Sequence, residues 1–217
     1  MTINSNHDAQ HGIHLIRQHL DVSRETEERL ITYVSLLAKW QVKINLVSGN
    51  TLKEVWVRHI LDSAQILPLT GQATTKIMDI GSGAGLPGMI IAILRAGQFG
   101  ETAEPVIMVE SDQRKCAFLA TAMRECGVKV VIKNKRLEEL DPIAPDVITA
   151  RALASVEKLL KWTERQHHRQ LKCVFLKGAK LDEELTCLSD YPNIIAERIP
   201  SITSDDGVVL TLTGFQG

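Results

Sequence analysis

The chain has 217 residues, of which 44% are hydrophobic and 24% charged, a composition that allows a full globular core. A formal net charge of −1 excludes a general attraction to nucleic acid, so any such partner would have to be held by a local basic surface. The first residues lack the basic and apolar regions of a secretion signal, and no run of 18 apolar residues occurs, so we expect a cytoplasmic protein.

The N-terminal part of the chain is predicted to be helical. Ser23 can cap a helix whose first turn is acidic, and apolar side chains then recur at helical spacing as far as Ile44. A third helical stretch is expected over about residues 52–67, followed by a polar linker. These features divide the chain into a helical segment of residues 1–72 and a second domain of residues 73–217.

Short apolar runs alternate with longer amphipathic ones in the second domain, a pattern that predicts a parallel sheet wound by crossover helices. The predicted strands of this part are residues 76–80, 105–109, 129–132, 146–149 and 172–176. Two last runs, residues 194–198 and 208–213, are too close in sequence for a helix between them. They predict an antiparallel hairpin at the edge of the sheet. We therefore expect an α/β fold with a mostly parallel seven-stranded sheet and a helical N-terminal extension.

A glycine-rich loop, Asp79-Ile-Gly-Ser-Gly-Ala-Gly-Leu-Pro-Gly88, follows the first predicted strand. Its glycines omit the Cβ atoms that would keep a ligand away from the backbone. A P-loop is excluded, because Met89 and not lysine follows the last glycine. The stretch from Gly83 to Gly88 fits a dinucleotide fingerprint, with Glu110 as its acid, which leaves an NAD-dependent oxidoreductase as an alternative.

Read from Asp79, the same loop is acid-x-G-x-G-x-G and resembles the nucleotide loop of Rossmann-type S-adenosylmethionine (AdoMet) methyltransferases. In that family an acid at the end of the second strand binds the ribose hydroxyls, and Glu110 has this position. The residues just past predicted strands 1, 2, 4 and 5 are Gly81, Glu110, Arg151 and Lys177. Ligands of open α/β sheets bind at the carboxyl ends of the strands, so these four residues are expected to converge on one site.

The chemistry of the methyl acceptor is constrained by what the sequence lacks. Methylation at C5 of a pyrimidine needs a cysteine nucleophile, and none of the cysteines is expected to serve as one; they stand at positions 116, 126, 173 and 187. Their spacing also predicts no metal site. Methylation of an exocyclic amine usually involves an Asp/Asn-Pro-Pro-aromatic loop, where this chain has Thr149-Ala-Arg-Ala. A ring nitrogen such as guanine N7 carries a free lone pair, so positioning without a general base suffices.

Over nearly its whole length, the chain resembles the RNA small subunit methyltransferase G family, also called glucose-inhibited division protein B. The residues that carry the resemblance are Lys39-Trp-Gln-Val-Lys-Ile-Asn-Leu46, Arg58-His-Ile-Leu-Asp-Ser63, the glycine loop through Leu86-Pro-Gly88, Glu110-Ser, Arg114-Lys, Phe118-Leu, Arg151-Ala and Lys177-Gly. The resemblance implies a class I AdoMet-dependent methyltransferase that forms 7-methylguanosine in the 530 loop of 16S ribosomal RNA and releases S-adenosylhomocysteine.

The resemblance also implies which residues form the site. The cofactor contacts are expected to be Asp79, Gly81, Gly83, Gly85, Leu86, Glu110, Leu137, Glu138 and Arg151. The candidates for contact with RNA or guanine are Arg58, His59, Arg136 and Lys177. No residue is assigned as a base or a nucleophile. The expected partner is 16S ribosomal RNA or the small ribosomal subunit, bound by a monomer, and a non-enzymatic RNA-binding factor remains a further alternative.

Overall fold

The computed structural model of the protein describes residues 6–216. Two helices begin the chain, α1 (Asn6–Arg17) and α2 (Arg24–Gln41). Ser23 caps α2 as predicted, because its hydroxyl oxygen accepts a hydrogen bond from the Thr26 backbone N–H at 3.2 Å. None of the helices in this described part is long and apolar enough to span a membrane.

The third helical stretch differs from the single helix that we expected over about residues 52–67. It consists of a 3₁₀ segment (Gly49–Glu54), a π-helical segment (Trp56–Leu61), one α-turn, α3 (Asp62–Ala64), and a second 3₁₀ turn (Leu67–Leu69). Apolar periodicity indicates a helical stretch but does not separate these turn types. A π segment is frequent at functional sites, where it redirects side chains.

Seven strands form one sheet in the order β3-β2-β1-β4-β5-β7-β6, which confirms the predicted fold. The strands are β1 (Ile77–Ile80), β2 (Val106–Val109), β3 (Val130–Lys133), β4 (Val147–Arg151), β5 (Lys172–Lys177), β6 (Ile195–Pro200) and β7 (Val208–Thr213). The first five strands are mutually parallel, and β7 is antiparallel to both β5 and β6. The winding reverses between β1 and β4, which opens a crevice at their carboxyl ends.

Helices cover both faces of the sheet. They are α4 (Gly88–Phe99), α5 (Gln113–Cys126), α6 (Val156–Thr163) and α7 (Leu181–Glu184), with short 3₁₀ turns at Gly100–Thr102, Leu137–Glu139, Glu164–Gln166 and Leu185–Asp190. One hydrophobic cluster joins α1 and α2 to α4, α5 and one sheet face, and a second cluster packs α6 and α7 on the other face. The N-terminal helices therefore share a core with the helices that follow the glycine loop.

The expected linker between the two parts of the chain is anchored by a buried arginine. Arg95 of α4 is 1% exposed, and its guanidinium donates to the backbone carbonyls of Thr70, Ala73 and Thr75. These bonds give the buried guanidinium acceptors for its donors. The N-terminal helices are thus held in a fixed position beside the sheet.

Candidate cofactor and RNA site

A cleft of about 1250 Å³ opens at the carboxyl ends of β1, β2, β4 and β5. Sites for one small molecule usually occupy about 300–1,000 Å³, so this cleft has room for a cofactor and part of a second substrate. The glycine loop, Glu110 and the turn after β3 line one half. The other half, called the acceptor half below, is lined by residues 46–48 and Thr51, by side chains of the segment from Arg58 to Gln65, by the loops after β4 and β5, and by the connection between β6 and β7.

The glycine loop forms the floor of the cofactor half. Gly81, Gly83 and Leu86 line the cleft, and the two glycines have φ angles of 61° and 55°. A Cβ atom on Gly81 would lie 2.4 Å from Cδ1 of Leu153, which is closer than van der Waals contact allows. A side chain at Gly81 would therefore suffer left-handed backbone strain and would force Leu153 to move.

Two residues predicted to contact the cofactor lie behind this floor. Gly85 does not line the cleft, and a Cβ atom there would lie 2.9 Å from Leu119 and Met89. Asp79 is fully buried, accepts a 2.8 Å hydrogen bond from the Thr149 hydroxyl, and lies against Gly88. Both residues therefore support the loop from below, and their direct contact with a cofactor stays a prediction that their burial does not favour.

The surroundings of Asp79 favour its neutral form more than water does. Burial raises the pKa of Asp79 to about 6, although hydrogen bonds from Ser82 and Thr149 act in the opposite direction. A carboxyl group with a raised pKa stabilises the fold most below its unfolded pKa near 4, and this contribution is lost as the pH rises through 6. Asp79 therefore supports the loop through packing and its bond to Thr149.

Glu110 follows β2 and its carboxylate lies at the edge of the glycine loop. One oxygen accepts from the Gly83 N–H at 2.8 Å, and the other accepts from the Asp112 N–H at 2.8 Å. The side chain lines the cleft although it is largely buried. Glu110 thus fixes the loop and presents an acceptor pair to a ligand, which is the arrangement that two neighbouring ribose hydroxyls require.

Leu137 and Glu138 also line the cofactor half, as predicted, together with Arg136. The pair begins the 3₁₀ turn after β3. Contact of the pair with an adenine ring remains a prediction.

Arg151 was predicted as a cofactor contact, but its guanidinium is turned toward the other half of the cleft. Nη1 donates to the Arg58 carbonyl oxygen at 2.9 Å and to Asp62 Oδ2 at 3.3 Å. Nη2 donates to Nδ1 of His59 at 2.9 Å. These terminal donors therefore connect the end of β4 with the π-helical segment and α3, and not with the glycine loop.

His59 was a candidate RNA contact, but it is buried and both ring nitrogens are bonded. Because Arg151 donates to Nδ1, the ring proton is assigned to Nε2, which donates to Thr51 Oγ1 at 2.8 Å. Thr51 in turn donates to the Ser48 carbonyl oxygen at 2.8 Å. Burial, together with the charges of Arg151 and Arg58, lowers the pKa of His59 to about 4. His59 is therefore a neutral acceptor that positions Arg151, and the expected direct contact of His59 with RNA is not supported.

The lowered pKa of His59 makes one contribution to stability that depends on pH. The unfolded chain binds this proton near pH 6.5 and the folded chain only near pH 4, so stability falls as the pH drops through this window. His59→Gln preserves one acceptor and one donor but does not titrate. Between pH 7.5 and 5.0, we expect the wild type to lose about 2 kcal/mol of unfolding free energy relative to His59→Gln.

Urea unfolding of both proteins at the two pH values measures this difference. Asp79 changes the unfolding free energy with pH in the opposite direction, but it does so equally in both proteins and therefore cancels in the comparison. Equal pH dependence in wild type and variant would show that His59 does not titrate in this window.

Lys177 lines the cleft but is already neutralised. Its Nζ lies 2.5 Å from Glu184 Oε2 and donates to the Ala154 carbonyl oxygen at 2.8 Å, and Glu184 also accepts from the Val156 N–H. The predicted substrate contact by Lys177 is therefore not supported as that of a free cation. It ties the loop after β4 to α7.

Exposed cations without an ion-pair partner among residues 6–216 surround the cleft. They are Arg58, Lys135, Arg136 and Lys180, with the half-buried Lys115 beside them. Two of these, Arg58 and Arg136, were predicted as RNA contacts, and their exposure fits that role.

The wall of the acceptor half is a hydrogen-bonded unit that could not be recognised from the sequence. Asp62 Oδ1 accepts from the Thr203 hydroxyl at 2.7 Å and from Gln65 Nε2 at 2.9 Å, and Gln65 Oε1 accepts from the Ile202 N–H. Arg151 bonds the other oxygen of Asp62. The connection between β6 and β7 is thereby held over the cleft.

No cysteine lines the cleft, and no group of three metal-ligating side chains occurs in the described part of the chain. Burial raises the pKa of every cysteine thiol above its usual value; they are Cys116, Cys126, Cys173 and Cys187. All four thiols are free, and their raised pKa values make them poorly suited to nucleophilic attack.

Solved structures share this architecture. A putative O-methyltransferase from Klebsiella pneumoniae aligns with a TM-score of 0.60 over 96% of this chain and 97% of its own, at 14% identity. A SAM-dependent methyltransferase from Aquifex aeolicus aligns with a TM-score of 0.57 over 82% of this chain and 97% of its own, at 16% identity. At these identities the likeness establishes the class I methyltransferase fold.

Relatives at higher identity identify the family. The family model described as GidB, rRNA small subunit methyltransferase G, matches residues 26–204. The ribosomal RNA small subunit methyltransferase G of Paramagnetospirillum magneticum is 45% identical over 88% of this chain and 90% of its own length. The protein of the same name from Gluconobacter oxydans is 44% identical over 90% and 97%. The chain therefore belongs to the rRNA small subunit methyltransferase G family, whose cofactor is AdoMet.

Proposed function

We propose that this protein transfers the methyl group of AdoMet to N7 of a guanine in the 530 loop of 16S ribosomal RNA. The observation that carries the proposal is the divided cleft, with a backbone-lined cofactor half and, opposite it, an acceptor half in which His59, Asp62 and Arg151 bond one another and Lys177 is paired with Glu184. These bonded groups can position an acceptor but are not free to deprotonate it. Membership of the family supports ribosomal RNA as the substrate.

The cofactor half fits AdoMet. Gly81 and Gly83 leave the loop backbone open, Glu110 offers two carboxylate oxygens for ribose hydroxyls, and Leu137 with Glu138 closes the adenine end. When bound, AdoMet supplies an electrophilic methyl group on a sulfonium. The contribution of this chain is to hold and orient that group and to exclude water around it.

The acceptor half favours a nitrogen that is nucleophilic without help. His59 is neutral and bonded on both sides, Asp62 accepts three hydrogen bonds, and Lys177 is paired with Glu184. Guanine N7 meets this condition, because its lone pair is exposed and no proton has to leave. The absence of any cysteine from the lining argues against the covalent route to C5.

We propose that Arg58 and Arg136, with Lys135 and Lys180, contact RNA phosphates at the rim of the cleft. Because few cations take part and the net charge is −1, a shallow dependence of RNA affinity on salt is expected. The proposed acting form is a cytoplasmic monomer. We also propose that residues 1–72 serve the methyltransferase domain of residues 73–217 as part of one site.

Labelled AdoMet and unmodified 16S RNA, as naked transcript and as assembled subunit, test the proposal. Incorporation should map to a guanine of the 530 loop, and a transcript in which 7-deazaguanosine replaces guanosine should accept no methyl group. Methylation of the 7-deaza transcript would exclude N7, and incorporation into protein would exclude RNA as substrate. Thermal stabilisation by S-adenosylhomocysteine and not by NAD separates this function from the oxidoreductase alternative, and RNA binding without turnover would favour a non-enzymatic factor.

A further inference from the structure

We propose that Tyr33, on helix α2, is a positioning residue of the AdoMet site. Its hydroxyl donates a 2.6 Å hydrogen bond to the backbone carbonyl oxygen of Ala84, in the middle of the glycine loop. Tyr33 itself has no solvent exposure, while Ala84 lines the cleft. The N-terminal helical segment therefore reaches the cofactor floor from behind, through a residue that no ligand in the cleft can touch.

The bond holds a peptide group that lies between two glycines of the loop. Ala84 lies between Gly83 and Gly85, which have φ angles of 55° and 83° and would otherwise allow the peptide between them to rotate. The peptide group that joins Ala84 and Gly85 is held at both ends, since its carbonyl oxygen accepts from Tyr33 and its N–H donates to the Ser82 carbonyl oxygen. Without the hydroxyl, rotation of this peptide competes with the conformation that lines the cleft.

A bound cofactor would not compete for the hydrogen bond between Tyr33 and Ala84. Gly83 is held by the Glu110 carboxylate, the group that we assign to the ribose hydroxyls, so binding of AdoMet places a new demand on that carboxylate. Tyr33 is outside the cleft and keeps its bond. Burial raises the pKa of Tyr33 above its usual value, so the hydroxyl remains a donor at all working pH values.

The surroundings of Tyr33 fix the direction of its hydroxyl. Phe118 of α5 packs against the Tyr33 ring at a centroid distance of 6.2 Å, and Trp40 packs edge-on against the same Phe118 at 5.8 Å. Helix α5 begins just after Glu110. The same aromatic cluster thus supports both the glycine loop and the helix that follows the ribose-binding acid.

Tyr33→Phe tests the inference, because it removes the hydroxyl and keeps the ring. We expect the Kd for S-adenosylhomocysteine, measured by calorimetry on the full-length protein, to rise about tenfold. The KM for AdoMet should rise in parallel while the KM for RNA stays within about twofold. Amide exchange at Gly85 should become faster in the ligand-free variant, which a purely structural loss elsewhere would not cause.

Two control variants separate this effect from a general loss of stability. Thr70→Val removes another buried hydroxyl, which bonds the Leu67 carbonyl away from the cleft, and Val34→Ala loosens the packing of the same helix. Both should lower the melting temperature with unchanged Kd. Equal binding by Tyr33→Phe and wild type, or equal weakening in all three variants, would overturn the inference. Failure of the wild type to bind S-adenosylhomocysteine would instead overturn the proposed function on which the inference rests.

Discussion

Replacing Gly81 by alanine is expected to weaken AdoMet binding at least about 100-fold while the protein remains folded. The new methyl group would point toward Leu153, with 2.4 Å to its Cδ1 and 2.7 Å to its Cδ2. Leu153 is 36% exposed, so its side chain can rotate away and the fold survives. A cofactor lying on the loop backbone has no comparable freedom, and a 100-fold loss corresponds to about 2.7 kcal/mol of binding free energy.

Gly127→Ala is the matched control for this prediction. Gly127 ends α5 with a φ angle of 61°, the same as that of Gly81, and no atom lies within 4 Å of the Cβ position. Both variants therefore suffer the left-handed backbone strain of about 1–2 kcal/mol, but only Gly81→Ala changes the cleft. Calorimetric titration with AdoMet measures the Kd of each. Similar Kd values for the two variants would mean that the methyl group does not meet the cofactor.

The fold was predictable because its signals are local. Each strand of the sheet is a short apolar run, and the spacing between runs decides whether a helix or only a turn can connect them. The crossover pattern then fixes which strand ends are neighbours, so the positions of Gly81 and Glu110 in one cleft followed from the sequence, while that of Leu137 came from the family resemblance.

The direction of each side chain was less predictable. The glycine-loop motif includes Asp79 and Gly85, yet Asp79 is buried against Thr149 and Gly88, and the Cβ position of Gly85 lies against Leu119 and Met89. A motif indicates that these residues are required. It does not distinguish those that touch a ligand from those that support the residues that do.

Contacts between distant parts of the chain could not be predicted at all. Arg151 and Lys177 follow strands as expected, but their partners depend on the tertiary fold, and the partner segment of Arg151 lies about 90 residues earlier. The bond of Tyr33 to Ala84 likewise spans 51 residues. Of the cations predicted to face a ligand, Arg151 and Lys177 use their charge within the protein, whereas Arg58 and Arg136 are exposed.

Replacing Arg151 by lysine is therefore expected to impair RNA methylation and to leave cofactor binding nearly unchanged. We expect kcat/KM for RNA to fall about 100-fold, and the Kd for AdoMet to change less than about threefold. The guanidinium of Arg151 bonds Arg58, His59 and Asp62 through two nitrogens in a fixed plane, and a single ammonium group cannot reproduce that geometry.

The reason for the unequal effect is the position of these partners. Asp62 also bonds Thr203 and Gln65, and these bonded residues form the wall of the acceptor half, called the acceptor wall. Loosening Arg151 therefore frees this wall from β4, while Glu110 and the glycine loop keep all their bonds. A displacement of about 1 Å in an acceptor can cost about 100-fold in rate. Methyl transfer to 16S RNA and calorimetric titration with AdoMet measure the two halves separately.

Arg198→Lys makes the same chemical change at the exposed ion pair between Arg198 of β6 and Asp182 of α7, and it should alter neither quantity. If Arg151→Lys instead weakens AdoMet binding more than tenfold, Arg151 belongs to the cofactor half and its bonds to the π-helical segment are secondary. If both quantities stay at wild-type values, the acceptor wall does not depend on Arg151, and Asp62 must hold the connection between β6 and β7 by its bonds to Thr203 and Gln65 alone.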